Sequence, residues 1–402
     1  MTVLFDPLDE EQLADPIPTY RALREQDPVQ RIPVGGGTWV VSRYEDVRRL
    51  LRTTAGLMQP PGATVPVELA GGPAERIYRG LMVLNDPPVH TRLRKLTEKA
   101  MTRGAVEKLR ADVERVASEA LDAMLEQGEA DAMTELAFTV PLRVICGMLG
   151  IPEADRAQML DWTPDFFRIF LPQANDADGI AACHRACQNF IDYLSEQIEY
   201  RRRTPADDIF SALVSAEDEG DRLSRDELVA TVLSLLTGGF DTTMGMIGAG
   251  VFGLARQPEQ LAALREDPAG LARTAVEEFI RWESPVAVTY RHFVEDVTIA
   301  DTTIPAGEPI WLLLLSANRD DTRFHDPDGF DVRRKPNQHV AFGGGRHHCI
   351  GSHLARLEGE VVFAEIARRI ETIEITGDSP RRPNFQFRSF TTLPVKMTGR
   401  SR

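Results

Sequence analysis

Residues 342–351, FGGGRHHCIG, put one cysteine at the end of a glycine-rich loop that turns straight into a helix. After Cys349 the apolar residues Ile350, Leu354, Leu357, Val361 and Ala364 recur at helical spacing. Cys349 therefore sits at a helix N-terminus, where free N–H groups and the helix dipole favour negative charge. That setting lowers a thiol pKa and makes the sulfur a thiolate ligand or nucleophile. The plainest alternative is a small buried hydrophobe. Two features weigh against it. Glycines 343, 344 and 345 are costly unless something must come close to the backbone. Arg346, His347 and His348 crowd cations beside the thiol, which suits an anionic sulfur and an anionic ligand. A hydrolase pairing Cys349 with His347 would draw on the same groups and would be colourless.

Three further constellations carry possible chemistry. Ser224 to Gln257 reads as one long helix, opened by a Ser224–Glu227 capping box and ended at Pro258. Its middle, TGGFDTT, breaks the pattern. Gly238 and Gly239 weaken the helix, and Asp241 puts a carboxylate where the flanking residues demand burial. A carboxylate beside the Thr242 hydroxyl can relay protons. In NDPPVHTRLRKLTEKAMTRG, Asp86, Pro87 and Pro88 start a helix that Gly104 ends. His90 and Arg94 share one face of it. Arg92, Lys95, Lys99 and Arg103 make it basic, which ordinarily means a solvated face. Glu278 and Arg281 stand three apart beside the apolar Val276, Phe279 and Ile280. Periodicity makes them a solvent-facing ion pair.

The segment Phe342, Gly343, Gly345, His347, Cys349, Ile350, Gly351, continued by LARLE at 354–358, resembles the heme-binding motif of the cytochromes P-450. The resemblance implies that Cys349 is the axial thiolate of a b-type heme, with Phe342, Gly343, His347 and Gly351 around it. Gly238, Gly239, Asp241, Thr242 and Thr243 match the family's oxygen-activation motif. They imply an Asp241–Thr242 acid–alcohol pair and a helix groove open to dioxygen. Phe240 stands where many bacterial members have His. His90, Arg94 and Arg291 match propionate-binding cations, and Glu278 and Arg281 match a buried ExxR pair. Met58, Gln59, Met82, Gly238, Phe240, Val286, Ala287, Val288, Phe390 and Thr391 fall in substrate-facing segments. Phe167, in the aromatic run 161–172, is either core or pocket wall.

The implied activity is hydroxylation of an apolar or aromatic small molecule, such as a bacterial natural product. The alternatives are oxidative coupling of aromatic substrates without oxygen insertion, and a heme sensor or carrier without turnover. A carrier needs no proton relay. Electrons would come from NAD(P)H through an external ferredoxin and ferredoxin reductase. The basic residues of the His90 helix could face that acidic donor.

The elements that must position these groups follow from the rest of the chain. It has 402 residues, 43% of them hydrophobic, and a net charge of −15. That balance argues against nucleic acid as partner. The four cysteines, Cys146, Cys183, Cys187 and Cys349, form no CxxC pair, which argues against a zinc site or disulfide framework. The N-terminus shows no leader or anchor pattern, and no run approaches ~18 apolar residues. The expectation is a cytoplasmic, non-membrane, single-domain protein over 1–402, mainly α-helical with small β-sheets. PIPTYRALREQDPV and Tyr44 to Arg52 read as helices, and Trp39 to Tyr44 as a strand. Residues 54–80 read as a long irregular loop. Pro141, Pro152, Pro164 and Pro172 punctuate helices over 105–200. VAVTYRHF reads as a strand. IPAGEPI and FRSFTTLPVKM read as hairpins, the second with Phe390 near its tip.

Overall fold

The computed structural model describes residues 4–60, 62–63, 65–170, 175–218 and 220–400. The chain is mainly α-helical with small sheets, and it forms two compact units. One comprises Met1–Pro61, Arg110–Leu142 and Phe240–Arg402; the other comprises Gly62–Leu109 and Arg143–Gly239.

The first unit carries the larger sheet. Its strands lie in the order Val29–Ile32, Thr38–Val41, Ile310–Leu313, Val288–Phe293 and Gly56–Leu57. Thr38–Val41 and Ile310–Leu313 run parallel, and the other neighbours are antiparallel. Helix Tyr44–Arg52 buries Tyr44, Val47, Leu50 and Leu51, spaced by three and four, in one cluster with Ile310 and Leu312. Helices Pro268–Glu283 and Arg110–Gln127 both pack on helix Ser352–Arg369. Strands Ile370–Ile375, Pro394–Gly399 and Glu129–Asp131 form a three-stranded sheet beside them.

The second unit is helical apart from the small hairpin Glu217–Asp218 and Asp221–Arg222. Helix Ala177–Arg203 packs against Arg156–Phe167, Pro73–Gly80 and Ile209–Ser215. Trp162 and Phe166 meet Phe190 edge-on, at 5.2 and 5.9 Å between ring centroids. Of the aromatic run at 161–172, Phe166 is buried and Trp162, Phe167 and Phe170 are half-buried; residues 171–172, including Pro172, lie outside the described residues.

Several local expectations are corrected. Residues 54–80 hold helix Pro73–Gly80 and the 3-10 turn Val67–Leu69. Pro73 fits the first helical turn, and Ala74 and Ile77 face inward. Pro164 lies inside helix Arg156–Phe167, and Pro141 lies in the first turn of Thr139–Met148, so neither ends a helix. The hairpin expected at IPAGEPI lies earlier, between Val297–Ile299 and Thr302–Ile304. IPAGEPI instead carries the chain into the central sheet. Near the C-terminus, the bridge Arg381↔Phe390 closes the hairpin, which puts Phe390 at its base rather than its tip. Helix Arg225–Arg256 is long and apolar enough by composition to cross a membrane, although Ser234, Thr237, Asp241, Thr242 and Thr243 interrupt its apolar runs. The qualifying window is 72% buried inside the protein, as a core helix would be.

Candidate active site

The cysteine loop is held by backbone N–H groups that donate to one side chain and two carbonyls. Val340 N–H donates to Asn318 Oδ1 at 2.8 Å, Gly343 N–H to Val340 O at 2.8 Å, and Cys349 N–H to Phe342 O at 2.9 Å. Gly345 has φ of +64°, and a Cβ there would lie 2.5 Å from Leu51 O, so only glycine fits. Residues Gly345–His347 form a 3-10 turn, and helix Ser352–Arg369 starts three residues after Cys349. Cys349 is exposed, whereas Cys146, Cys183 and Cys187 are buried. A Cβ on Gly351 would make only ordinary contact with Cys349 Sγ, at 3.9 Å.

In the same unit, Arg291 is 4% exposed on strand Val288–Phe293. Its Nη1 donates to Tyr290 O at 2.6 Å and lies 2.9 Å from Met58 Sδ. These groups fit a heme. An accessible, soft sulfur on a glycine loop suits an iron axial ligand, and a buried guanidinium suits a propionate. Cys349 would hold the iron and Arg291 a propionate.

The long helix follows the expected bounds, running Arg225–Arg256. Its capping box is formed: Ser224 N–H donates to Glu227 Oε2 at 2.8 Å, and Glu227 N–H to Ser224 Oγ at 3.3 Å. Burial pushes the Glu227 carboxyl up, but hydrogen bonds from Arg92 and Ser224 outweigh it and hold the group below the usual carboxylate range. The two glycines differ. A Cβ at Gly238 would meet nothing within 4 Å, whereas one at Gly239 would lie 2.9 Å from Ile145 Cδ1. Phe240 is buried edge-on against Phe138 at 5.9 Å. Thr242 is half-buried.

Asp241 is paired with a residue that sequence reasoning missed. Arg382 Nη1 donates to Asp241 Oδ1 at 2.7 Å and to Ser389 Oγ at 3.3 Å. The Asp241 side chain is 11% exposed and that of Arg382 42%. No local signal links residues so far apart in the chain.

Glu278 and Arg281 are both fully buried, so the solvent-facing pair expected from periodicity is overturned. Arg281 grips both Glu278 oxygens, at 2.7 and 2.8 Å. Arg334, Asn337 and the Asp331 N–H also donate to that carboxylate. The other Arg281 donors reach Asn318 O, Pro327 O and Gly329 O. Helical periodicity could not reveal this, because the partners come from the loop 318–337. That loop, through Asn318, also fixes Val340 at the start of the cysteine loop.

In the second unit, His90 is buried at 2% exposure on helix Val89–Ala100. Arg94 Nε donates to Glu98 Oε1 at 2.7 Å. Arg92, on the basic face of this helix, is tied to Asp221 and to Glu227 Oε1 at 2.6 Å. The acidic residues of the hairpin and the long helix take up its charge.

The remaining candidates have mixed placements. Met58 is buried, and Gln59, Met82, Phe167 and Val286 are half-buried. Val288 is 2% exposed in a core cluster with Phe5, Tyr20 and Leu313, so packing against the sheet uses it. Phe390 packs on Phe252 at 4.8 Å, with the Arg381 guanidinium 3.7 Å above its ring.

The family model "Cytochrome P-450" matches residues 20–398. The chain belongs to the cytochrome P-450 family. This P-450 is 39% identical to cytochrome P-450 107B1 of Saccharopolyspora erythraea, over 94% of each chain. It is 38% identical to the cytochrome P-450 monooxygenase PikC of Streptomyces venezuelae, over 97% of this chain and 92% of that protein. Among solved structures it resembles PksS, the cytochrome P-450 of the Bacillus subtilis 168 bacillaene polyketide synthase. The TM-score is 0.89 at 32% identity, covering 98% and 100% of the two chains. The chain is thus a P-450 monooxygenase, and the family implies heme iron as cofactor.

Proposed function

We propose that the enzyme hydroxylates an apolar or aromatic small molecule of bacterial natural-product type. Electrons would come from NAD(P)H through a ferredoxin and its reductase, and the whole chain would act as one cytoplasmic catalytic domain. The observation that carries the reading is the pairing, within one compact unit, of an exposed cysteine on a glycine loop with an Asp241–Thr242 step on the long helix. The names of PikC, a monooxygenase, and PksS, from a polyketide synthase, support the reaction and the substrate class.

Cys349 would hold heme b, and the heme would supply dioxygen activation, which a thiolate ligand favours by donating electron density. The chain's own residues do the rest. Asp241 holds a carboxylate near the surface, in reach of solvent protons, and Thr242 presents a hydroxyl beside it for passing a proton inward. Arg382 fixes the carboxylate that starts this path. Gly238 keeps the helix surface open, and Phe240, two residues on, brings an apolar ring. His90, Arg94 and Arg291 would neutralise the propionates, and His347 would stand beside the cofactor. Met58, Gln59, Met82, Phe167, Val286 and Phe390 would shape substrate selection.

The test is a screen of apolar and aromatic natural products for a spin-state shift, followed by product mass in a reconstituted ferredoxin system. A product heavier by one oxygen atom supports hydroxylation. A product lighter by two hydrogens would show oxidative coupling instead. A bound heme that consumes no reductant with any partner would point to a sensor or carrier.

A further inference from the structure

We infer that Glu277 is a positioning residue for the cysteine loop, acting through Arg356 and His339 to seat Phe342 and the backbone that precedes Cys349. Three contacts build the case. Arg356, on helix Ser352–Arg369, donates to both Glu277 oxygens, from Nε at 2.5 Å and from Nη2 at 3.1 Å. The guanidinium so held lies 4.4 Å from the centroid of the Phe342 ring. Phe342 in turn offers its carbonyl to the Cys349 N–H at 2.9 Å. A planar cation over a ring face is an attractive pairing, and a bidentate carboxylate removes its freedom to leave.

The second arm starts at the same carboxylate. His339 Nδ1 accepts from the Ala341 N–H at 3.3 Å, so its Nε2 carries the hydrogen and donates to Glu277 Oε2 at 3.0 Å. The His339 ring also packs against Phe342, at 5.7 Å between centroids. One carboxylate thus fixes a cation on the ring and an imidazole on the backbone one residue before it. Burial alone would raise the Glu277 carboxyl. The hydrogen bonds from His339 and Arg356 outweigh that and hold it at about 2, so the anchor stays ionised at every working pH.

The proposal rests on the reading that Cys349 ligates heme iron. The experiment compares the holoprotein with Glu277→Gln, Arg356→Gln and the double variant. The reduced, carbon monoxide-bound proteins are held just below the onset of global unfolding by circular dichroism. The thiolate-type Soret band is followed as it gives way to the non-thiolate band. Each single variant should lose the band about tenfold faster, the factor equivalent to about 1.4 kcal/mol. The double variant should be no faster than the worse single, because both remove the same clamp. Bands as durable as wild type in both singles, or rates that multiply in the double, would overturn the clamp. If Glu277→Gln fails to fold, Arg356→Gln carries the test, since the Arg356 side chain is already 23% exposed. Absence of the thiolate band in the wild type would instead remove the reading beneath it.

Discussion

Two buried glutamates on neighbouring helices meet opposite fates. Glu278, on helix Pro268–Glu283, is fully buried, and its oxygens receive donors from Arg281, Arg334, Asn337 and the Asp331 backbone. Glu358, on helix Ser352–Arg369, is equally buried, and neither of its oxygens has a hydrogen-bond partner among the described residues. Burial pushes the Glu358 carboxyl well above the usual carboxylate range, so it is held neutral. The two sites lie equally deep and differ in the donors that surround each carboxyl group. The solvated pair that periodicity suggests at 278 and 281 becomes a hub, because the loop entering the cysteine motif brings its own donors.

The largest break should come at the hub. Glu278→Ala leaves Arg281 and Arg334 facing a cavity without an anion. It should cost about 3–5 kcal/mol, the usual loss when one partner of a buried pair is removed. Denaturant titration checks it, and heme retention should fall with it, since Asn318 ties the same loop to Val340. An ordinary surface-mutant cost below about 1 kcal/mol would mean that the hub is not structural.

Glu358 should give a smaller, pH-dependent effect. Its folded pKa lies above its unfolded one, so the folded state binds more protons. Its contribution is therefore best below the unfolded pKa and is lost as pH rises toward the folded value. Glu358→Gln should flatten that loss, gaining on wild type by up to about 1.4 kcal/mol per pH unit above the unfolded carboxylate value. Melting curves from pH 5 to 8, in steps of about one unit, show it. Parallel curves for the two proteins would contradict a neutralised Glu358.

The half-exposed pair Arg382–Asp241 sits at the weak end of the comparison. Arg382→Gln should cost less than the hub, about 1–3 kcal/mol, because the Asp241 carboxylate that loses its donor is only 11% exposed. It should nonetheless alter the pH profile of coupling between reductant consumed and product formed, because the pair orients the acid of the proton path. Thr242→Ala should raise peroxide released per electron without moving the melting point. Unchanged coupling in both variants would remove the Asp241–Thr242 step from the mechanism.

Where one element is enough, the residues already announce the structure. The Ser224–Glu227 box and the break at Pro258 mark the long helix. Clustered apolar spacing likewise marks Tyr44–Arg52. What stays hidden depends on residues that the chain brings together from afar. Arg382 reaches Asp241 across 141 positions, Glu277 meets Arg356 across 79, and Arg92 meets Glu227 across 135. Periodicity reports which side of a helix is apolar, but it carries no information about the loop that will cover the polar side. That is why Glu278 misleads and why Phe390 falls at the base of its hairpin rather than its tip.

The central claim is that Cys349 provides thiolate ligation to heme. The direct measurement is the difference spectrum of the reduced protein with carbon monoxide, taken for wild type and for Cys349→Ala. The wild type should show a strongly red-shifted Soret band, and the variant should lose it. A red-shifted band that survives in Cys349→Ala, or an imidazole-type band in the wild type, would contradict it.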